Sequence, residues 1–239
     1  TGSSETTVVI TGSDGAVERI STDLVLLSTG RAPNVFDCGF EDAGLDFDTR
    51  GVRVNEYMQT NLPGMYAAGD VTGRSMLAHS AYRMGEVAVA HMFQRPGKVA
   101  DGRSLFPNRM RYDAVPWVVF TAPEVAGCGK NAGEAERAGL DVEVTELPLR
   151  VSGRYLAEHP RERGTVSLVS RRDNGKIIGV QILGTGAGEI IHSASIMIEM
   201  ELTVSDIREM IFPHPTVSEA LRDAAWAVSH APQRYPSAE

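Results

Sequence analysis

The stretch from Pro96 to Arg111 constrains this chain most. It carries few apolar side chains and much Gly, Pro and Arg, so a single core cannot run through it. The chain is therefore expected to fold in parts on either side. Before the break, short apolar runs alternate with turn residues. A helical period sets in only from Leu77, with Leu77, Ala81, Met84, Ala88 and the His91-Met92 pair on one face. Pro96-Gly97 is the expected stop of that helix. After the break, strand patterns come first and helices last.

On the first side, Thr6 to Thr11 and Ala16 to Ile20 flank Gly12-Ser13-Asp14-Gly15, the pattern of a β-hairpin. Leu24 to Leu27 is an unbroken apolar run, as expected of a strand buried on both faces of a parallel sheet. Val52 to Asn55 and Met65 to Ala68 read as two more short strands, after a Gly-, Asp- and Pro-rich connector over 31–50. On the second side, Trp117 to Thr121, Val142 to Leu147, Thr165 to Ser170 and Lys176 to Leu183 read as strands. The last two are joined by the turn Asp173-Asn174-Gly175. A helix opens on Asn131 and closes at Gly139, and three more are expected over 187–200, 204–211 and 217–229. The fold class is thus α/β in the first part and α+β with an antiparallel sheet in the second.

Composition narrows the partners. With 239 residues, 42% of them hydrophobic, the chain can bury a sizeable core. Its formal net charge of -8 repels polyphosphate backbones and anionic membranes, so neither nucleic acid nor a membrane is an expected partner. No apolar run approaches a membrane span, and the chain reads as soluble and cytoplasmic. Cys38 and Cys128 stand far apart, without metal-ligand or redox-pair spacing, and read as buried packing thiols; no metal site is expected.

Three motifs could carry chemistry. The run from Met65 to Asp70 ends a strand in Gly-Asp, where a carboxylate beyond the strand suits a ribitol or sugar hydroxyl; a turn-forming Asp is the competing reading. The helix near Leu77 follows, and its free N–H groups could face an electron-rich ring edge. In Phe212-Pro213-His214-Pro215-Thr216-Val217-Ser218-Glu219, an imidazole that exchanges protons near neutral pH stands close to a carboxylate that can fix its tautomer. Thr216 to Glu219 is also a capping-box pattern, which offers Glu219 a structural role. Gly184-Thr185-Gly186-Ala187-Gly188-Glu189 invites a dinucleotide-loop reading, but Glu189 stands where the motif needs Gly and no βαβ unit surrounds it. His159, His192 and His230 read as surface or packing residues. Met197, Met200 and Met210 read as core or dimer contacts. Arg161-Glu162-Arg163 and Arg171-Arg172-Asp173 read as solvated loops.

The string Thr60 to Val71, followed by Met76-Leu77-Ala78-His79, resembles the second FAD-binding segment of dihydrolipoamide dehydrogenases, within the pyridine nucleotide-disulfide oxidoreductase family. The resemblance implies that Asp70 holds the flavin ribitol and that Met76, Leu77, Ala78 and His79 meet the flavin ring. Ser28 to Asn34 resembles the crossing from NAD domain to FAD domain, which places Gly30 and Arg31 near the nicotinamide nucleotide. The H-P-T-x-x-E pattern resembles the family's acid-base signature, which makes His214 and Glu219 catalytic residues serving the redox disulfide of a partner subunit in a homodimer. Pro123 to Ala126 and the Gly184 to Glu189 turn also resemble family segments.

One departure is Phe212, where lipoamide dehydrogenases usually carry a second His. Family members are about twice this length, so the chain is expected to be a C-terminal portion. It comprises the end of an NAD-binding domain (1–30), the last segment of an FAD-binding domain (31–110) and a dimerisation domain (111–239). The adenine-binding G-x-G-x-x-G, the C-x-x-x-x-C pair and the NAD phosphate loop are not in it, so both the FAD and the NAD sites are incomplete. The implied reaction is dihydrolipoamide plus NAD+ to lipoamide plus NADH, with a 2-oxo acid dehydrogenase complex or a lipoyl domain as partner. The rival readings are a glutathione reductase-like disulfide reductase, or a non-catalytic dimerisation module.

Overall fold

The computed structural model describes residues 6–93 and 109–229. The expected helix stop at Pro96-Gly97, most of the 96–111 break, and His230 lie outside the described residues. Strands β1 (Thr6–Thr11) and β2 (Val17–Thr22) form the expected hairpin, with Thr11 opposite Val17. Asp14 closes its turn by accepting the Ala16 amide at 3.0 Å.

The Leu24 to Leu27 run overturns its expectation. It forms no strand, and Leu24, Leu26 and Leu27 are 83%, 87% and 83% exposed. A parallel strand is buried only by strands beside it and helices over it, and none of the described residues supplies them. Val52 to Asn55 shrinks to a two-residue strand, β4 (Gly51–Val52), paired with β3 (Phe47–Asp48). Met65 to Ala68 is no strand either. Its backbone bonds turn back on the preceding loop, Thr60 amide to Met65 carbonyl and Ala67 amide to Met58 carbonyl, both at 3.1 Å.

Helix α1 (Ala78–Phe93) keeps the period read from the sequence. It buries Met84, Val87 and Ala88 against Met58 and Met110. Residues 109–111 thus fasten the first part to the second, since Arg111 also reaches the Glu199 carbonyl at 3.1 Å.

The second part is a five-stranded antiparallel sheet in the order β5 (Trp117–Val119), β6 (Val125–Gly129), β9 (Ile177–Leu183), β8 (Thr165–Arg171), β7 (Val142–Pro148). Strand β6 was not expected from sequence, because its glycines hide it. Gly127 is required there, since a Cβ would lie 2.4 Å from the Trp117 ring that packs on it. Registers Val166↔Ile182 and Leu168↔Val180 put four buried aliphatic side chains on one face, each contributing about 1.5–3 kcal/mol by burial.

Helices α4 (Ala187–Glu199), α5 (Val204–Glu209) and α6 (Glu219–Ala227) share one apolar core with that face through Ile191, Ile207 and Leu221. Asn131 caps α2 (Ala132–Arg137) through a full capping box with Glu134. A further short helix, α3 (Gly153–Glu158), is capped by Ser152. This α+β sheet with helices matches the expected class for the second part.

Candidate functional site

The residues read as functional fall into two groups, each held by different elements. In the second part, His214 lies in the middle of the loop between α5 and α6. Its Nδ1 lies 2.9 Å from Glu219 Oε1, with the imidazole side chain 80% exposed and the carboxylate 20%. A carboxylate only accepts, so Nδ1 carries the hydrogen and Nε2 is left with a free lone pair facing outward. The second carboxylate oxygen, Oε2, accepts the Thr216 amide at 2.8 Å. That amide, and then His214, hold the Glu219 carboxyl below its ordinary value, so it stays ionised.

The backbone and imidazole bonds of Glu219 therefore coexist, one on each oxygen. Only half of the expected capping box forms. The Thr216 hydroxyl turns to the Pro213 carbonyl at 2.8 Å and to the Ser218 hydroxyl, while Ser218 stands at the N-cap of α6 without a side-chain capping bond.

The first group gathers around the start of α1. Gly69 adopts φ 81° and ψ -155°, a backbone region open essentially to glycine alone. That conformation turns the chain so that Asp70 is exposed. No hydrogen bond of the Asp70 carboxylate occurs among the described residues, so it is available to a hydroxyl. The Arg31 guanidinium donates to the Met76 carbonyl at 2.8 Å and so joins two segments singled out separately in the sequence. Gly30, beside it, has φ 109°.

Met76 and Leu77 are half-buried, and Ala78 and His79 exposed. The His79 Nε2 donates to the Pro116 carbonyl at 2.7 Å, a link to the second part that sequence gave no sign of. The amides of Ala78, His79 and Ser80 open α1 with no acceptor among the described residues, so they can face electron-rich atoms. A free carboxylate for a polyol and free helix amides for a ring edge fit the ribitol and flavin ends of FAD. No hydrogen bond among the described residues joins this group to His214.

The remaining candidates sort by geometry. The Gly184 to Glu189 turn cannot cradle phosphate. Its Thr185 amide donates to Glu162 Oε1 at 2.6 Å and its Gly188 amide to Glu124 Oε2 at 2.9 Å, so carboxylates already occupy the donors. Glu162, read from sequence as part of a solvated loop, is a structural hub that also accepts from the buried Tyr155 hydroxyl at 2.6 Å. That hydroxyl, then Thr185, hold the Glu162 carboxyl below its ordinary value. Burial pushes the Cys128 thiol up to about 11, as suits a packing residue. Cys38 corrects its reading: it is exposed, in a surface turn. No group of three or more His, Cys, Asp or Glu that could hold a metal occurs among the described residues. No helix among them is long and apolar enough to cross a membrane.

An antiparallel α+β unit carrying a carboxylate-backed imidazole, fastened to a segment shaped for a flavin, defines a class of redox protein, and comparison with known proteins gives the family. The model for the pyridine nucleotide-disulphide oxidoreductase dimerisation domain matches residues 115–225, and the pyridine nucleotide-disulphide oxidoreductase model matches residues 1–85. The chain belongs to the pyridine nucleotide-disulphide oxidoreductase family, whose members are FAD- and NAD-dependent disulphide oxidoreductases.

A dihydrolipoyl dehydrogenase of Thermus scotoductus is 40% identical over 90% of this chain and 44% of its own length. The mitochondrial dihydrolipoyl dehydrogenase of Pisum sativum is 36% identical over 89% of this chain and 40% of its own. The crystal structure of LpdA from Mycobacterium tuberculosis superimposes with a TM-score of 0.75 at 27% identity, over 95% of this chain and 46% of LpdA. The chain thus spans less than half the length of the relatives it matches.

Proposed function

We propose that this chain is the acid-base and flavin-facing portion of a dihydrolipoyl dehydrogenase, with residues 1–30 closing an NAD-binding domain, 31–110 an FAD-binding domain, and 111–239 forming the dimerisation domain. The observation that carries the reading is the His214 Nδ1 to Glu219 Oε1 bond of 2.9 Å with Nε2 left open. Within the reaction, His214 Nε2 removes the proton of a dihydrolipoyl thiol or of the thiol it exchanges with. Glu219, ionised, supports the imidazolium that forms and keeps Nδ1 as the donor.

FAD, when bound, supplies the redox relay between the thiols and NAD+. Asp70 would hold a ribitol hydroxyl, Met76, Leu77, Ala78 and His79 would meet the ring, and Arg31 fixes the Met76 carbonyl beside them. Gly30 and Arg31 lie on the nicotinamide side. The chain's cysteines, Cys38 and Cys128, are both free and are not a redox pair, so the disulfide that His214 serves comes from outside these residues. A homodimer supplies it most simply, and a lipoyl domain or 2-oxo acid dehydrogenase complex is the partner that presents the substrate.

The test is His214→Gln in the flavin-loaded enzyme that contains this chain. Dihydrolipoamide oxidation should fall about 10²- to 10⁴-fold with flavin absorbance retained. Unchanged turnover would remove His214 from the chemistry. In favour of the module reading for the chain on its own stands Ile211, 99% exposed beside the His214 loop, an apolar side chain suited to a subunit contact.

A further inference from the structure

The loop that carries His214 is tied to the fold from a distance. Ser152 is 2% exposed and caps α3 by accepting the Tyr155 amide at 3.3 Å. Its hydroxyl hydrogen goes elsewhere, to the Thr216 carbonyl at 2.9 Å, across 64 positions of sequence. One hydrogen and two lone pairs let a serine do both at once. The Thr216 amide in turn donates to Glu219 Oε2 at 2.8 Å, and Glu219 Oε1 accepts from His214 Nδ1 at 2.9 Å. Four groups therefore run in series from a buried hydroxyl to an exposed imidazole.

The other polar bonds of this loop, Thr216 hydroxyl to Pro213 and to Ser218, are local. They shape the loop without locating it. Bonds to the flanking helices join its two ends; among the described residues, the Ser152 bond is the one hydrogen bond that ties the backbone of the loop to an element distant in sequence.

We infer that Ser152 is a positioning residue for His214: by holding the Thr216 backbone it sets where the Glu219 carboxylate stands, and through it the Nδ1–H tautomer and the aim of Nε2. The inference rests on the reading of His214 as the acid-base group. Without the hydroxyl, the Thr216 carbonyl loses its partner and the loop gains freedom. Glu219 then holds His214 for part of the time, and the neutral ring samples the tautomer with hydrogen on Nε2, which cannot accept a proton there.

The test compares Ser152→Ala, Ser152→Thr, which keeps a hydroxyl, and Asn131→Ala, which removes the cap of α2 in another element. Two readouts are taken in the flavin-loaded enzyme at equal distance below each melting temperature. They are the ¹⁵N ring shifts of His214, which report its tautomer, and the pH profile of dihydrolipoamide oxidation.

Ser152→Ala should move the tautomer toward a mixture and lower kcat about 3- to 10-fold with KM unchanged, the scale of one lost hydrogen bond. Ser152→Thr should restore both readouts, and Asn131→Ala should lower the melting temperature while moving neither. A tautomer ratio and pH profile unmoved in Ser152→Ala, or moved as far in Asn131→Ala, overturns the inference. Failure of the catalytic reading looks different: His214→Gln would leave turnover intact, while the tautomer measurement still decides what Ser152 does.

Discussion

The two ends of the molecule use apolar residues in opposite ways. In the sheet of the second part, Val166, Leu168, Val180 and Ile182 are at most 2% exposed, because consecutive strands pair antiparallel and three helices close over them. In the first part, the β1–β2 hairpin leaves Val9, Ile10, Val17 and Ile20 between 42% and 59% exposed, and Leu26 stands at 87%. The five-stranded sheet has helices from its own part to cover it, whereas a lone hairpin or a parallel strand needs cover that none of the described residues supplies. The functional groups follow the same division. The His214–Glu219 pair is assembled wholly within the second part, while the proposed flavin contacts, Asp70 and the α1 amides, lie in the first.

Measurements on variants of each part test this division. The largest expected effect is chemical: His214→Gln should lower thiol turnover about 10²- to 10⁴-fold and leave flavin in place, whereas Asp70→Ala should weaken flavin retention by about tenfold, the low end of a charge-assisted hydrogen bond. Equal flavin loss in both variants would merge the two groups.

Next comes the core. Leu168→Ala should cost about 2–5 kcal/mol, read as a lower denaturant midpoint, and Asn131→Ala about 1 kcal/mol. Acid should act on the second part in a defined direction. Glu162 and Glu219 both titrate below their ordinary 4.5 when folded, so the unfolded chain binds more protons as pH falls. Their contribution is complete above that value and is lost as pH drops below it, through the depressed values. Glu162→Gln should flatten the melting temperature over that range. The smallest effect belongs to Leu26→Ser, within about 0.5 kcal/mol in this chain; a loss as large as that of Leu168→Ala would mean that Leu26 is buried in solution.

What could be read beforehand follows from the range of the interactions. The hairpin turns, the α1 period and the Asn131 cap are local, and each formed where its residues stand. The Leu24 to Leu27 strand failed because hydrophobicity gives the need for burial but not the partner. Strand β6 was hidden because Gly127 is there for the Trp117 ring, a tertiary reason with no periodic trace. The His214–Glu219 pair lies five residues apart and was visible. Ser152, Pro116 and the two carboxylates that fill the Gly184 to Glu189 turn come from distant positions, and no spacing announces them.

The exposure of His214 has one more consequence, for chemical labelling. An imidazole nitrogen with an open lone pair attacks acylating reagents in water, and in the neutral ring with Nδ1 bonded to Glu219 that nitrogen is His214 Nε2. His192, exposed on α4, is an internal reference. Whatever surface the molecule docks against the His214 loop would then register as a footprint, a fall in labelling at His214 relative to His192 that tracks assembly without any turnover.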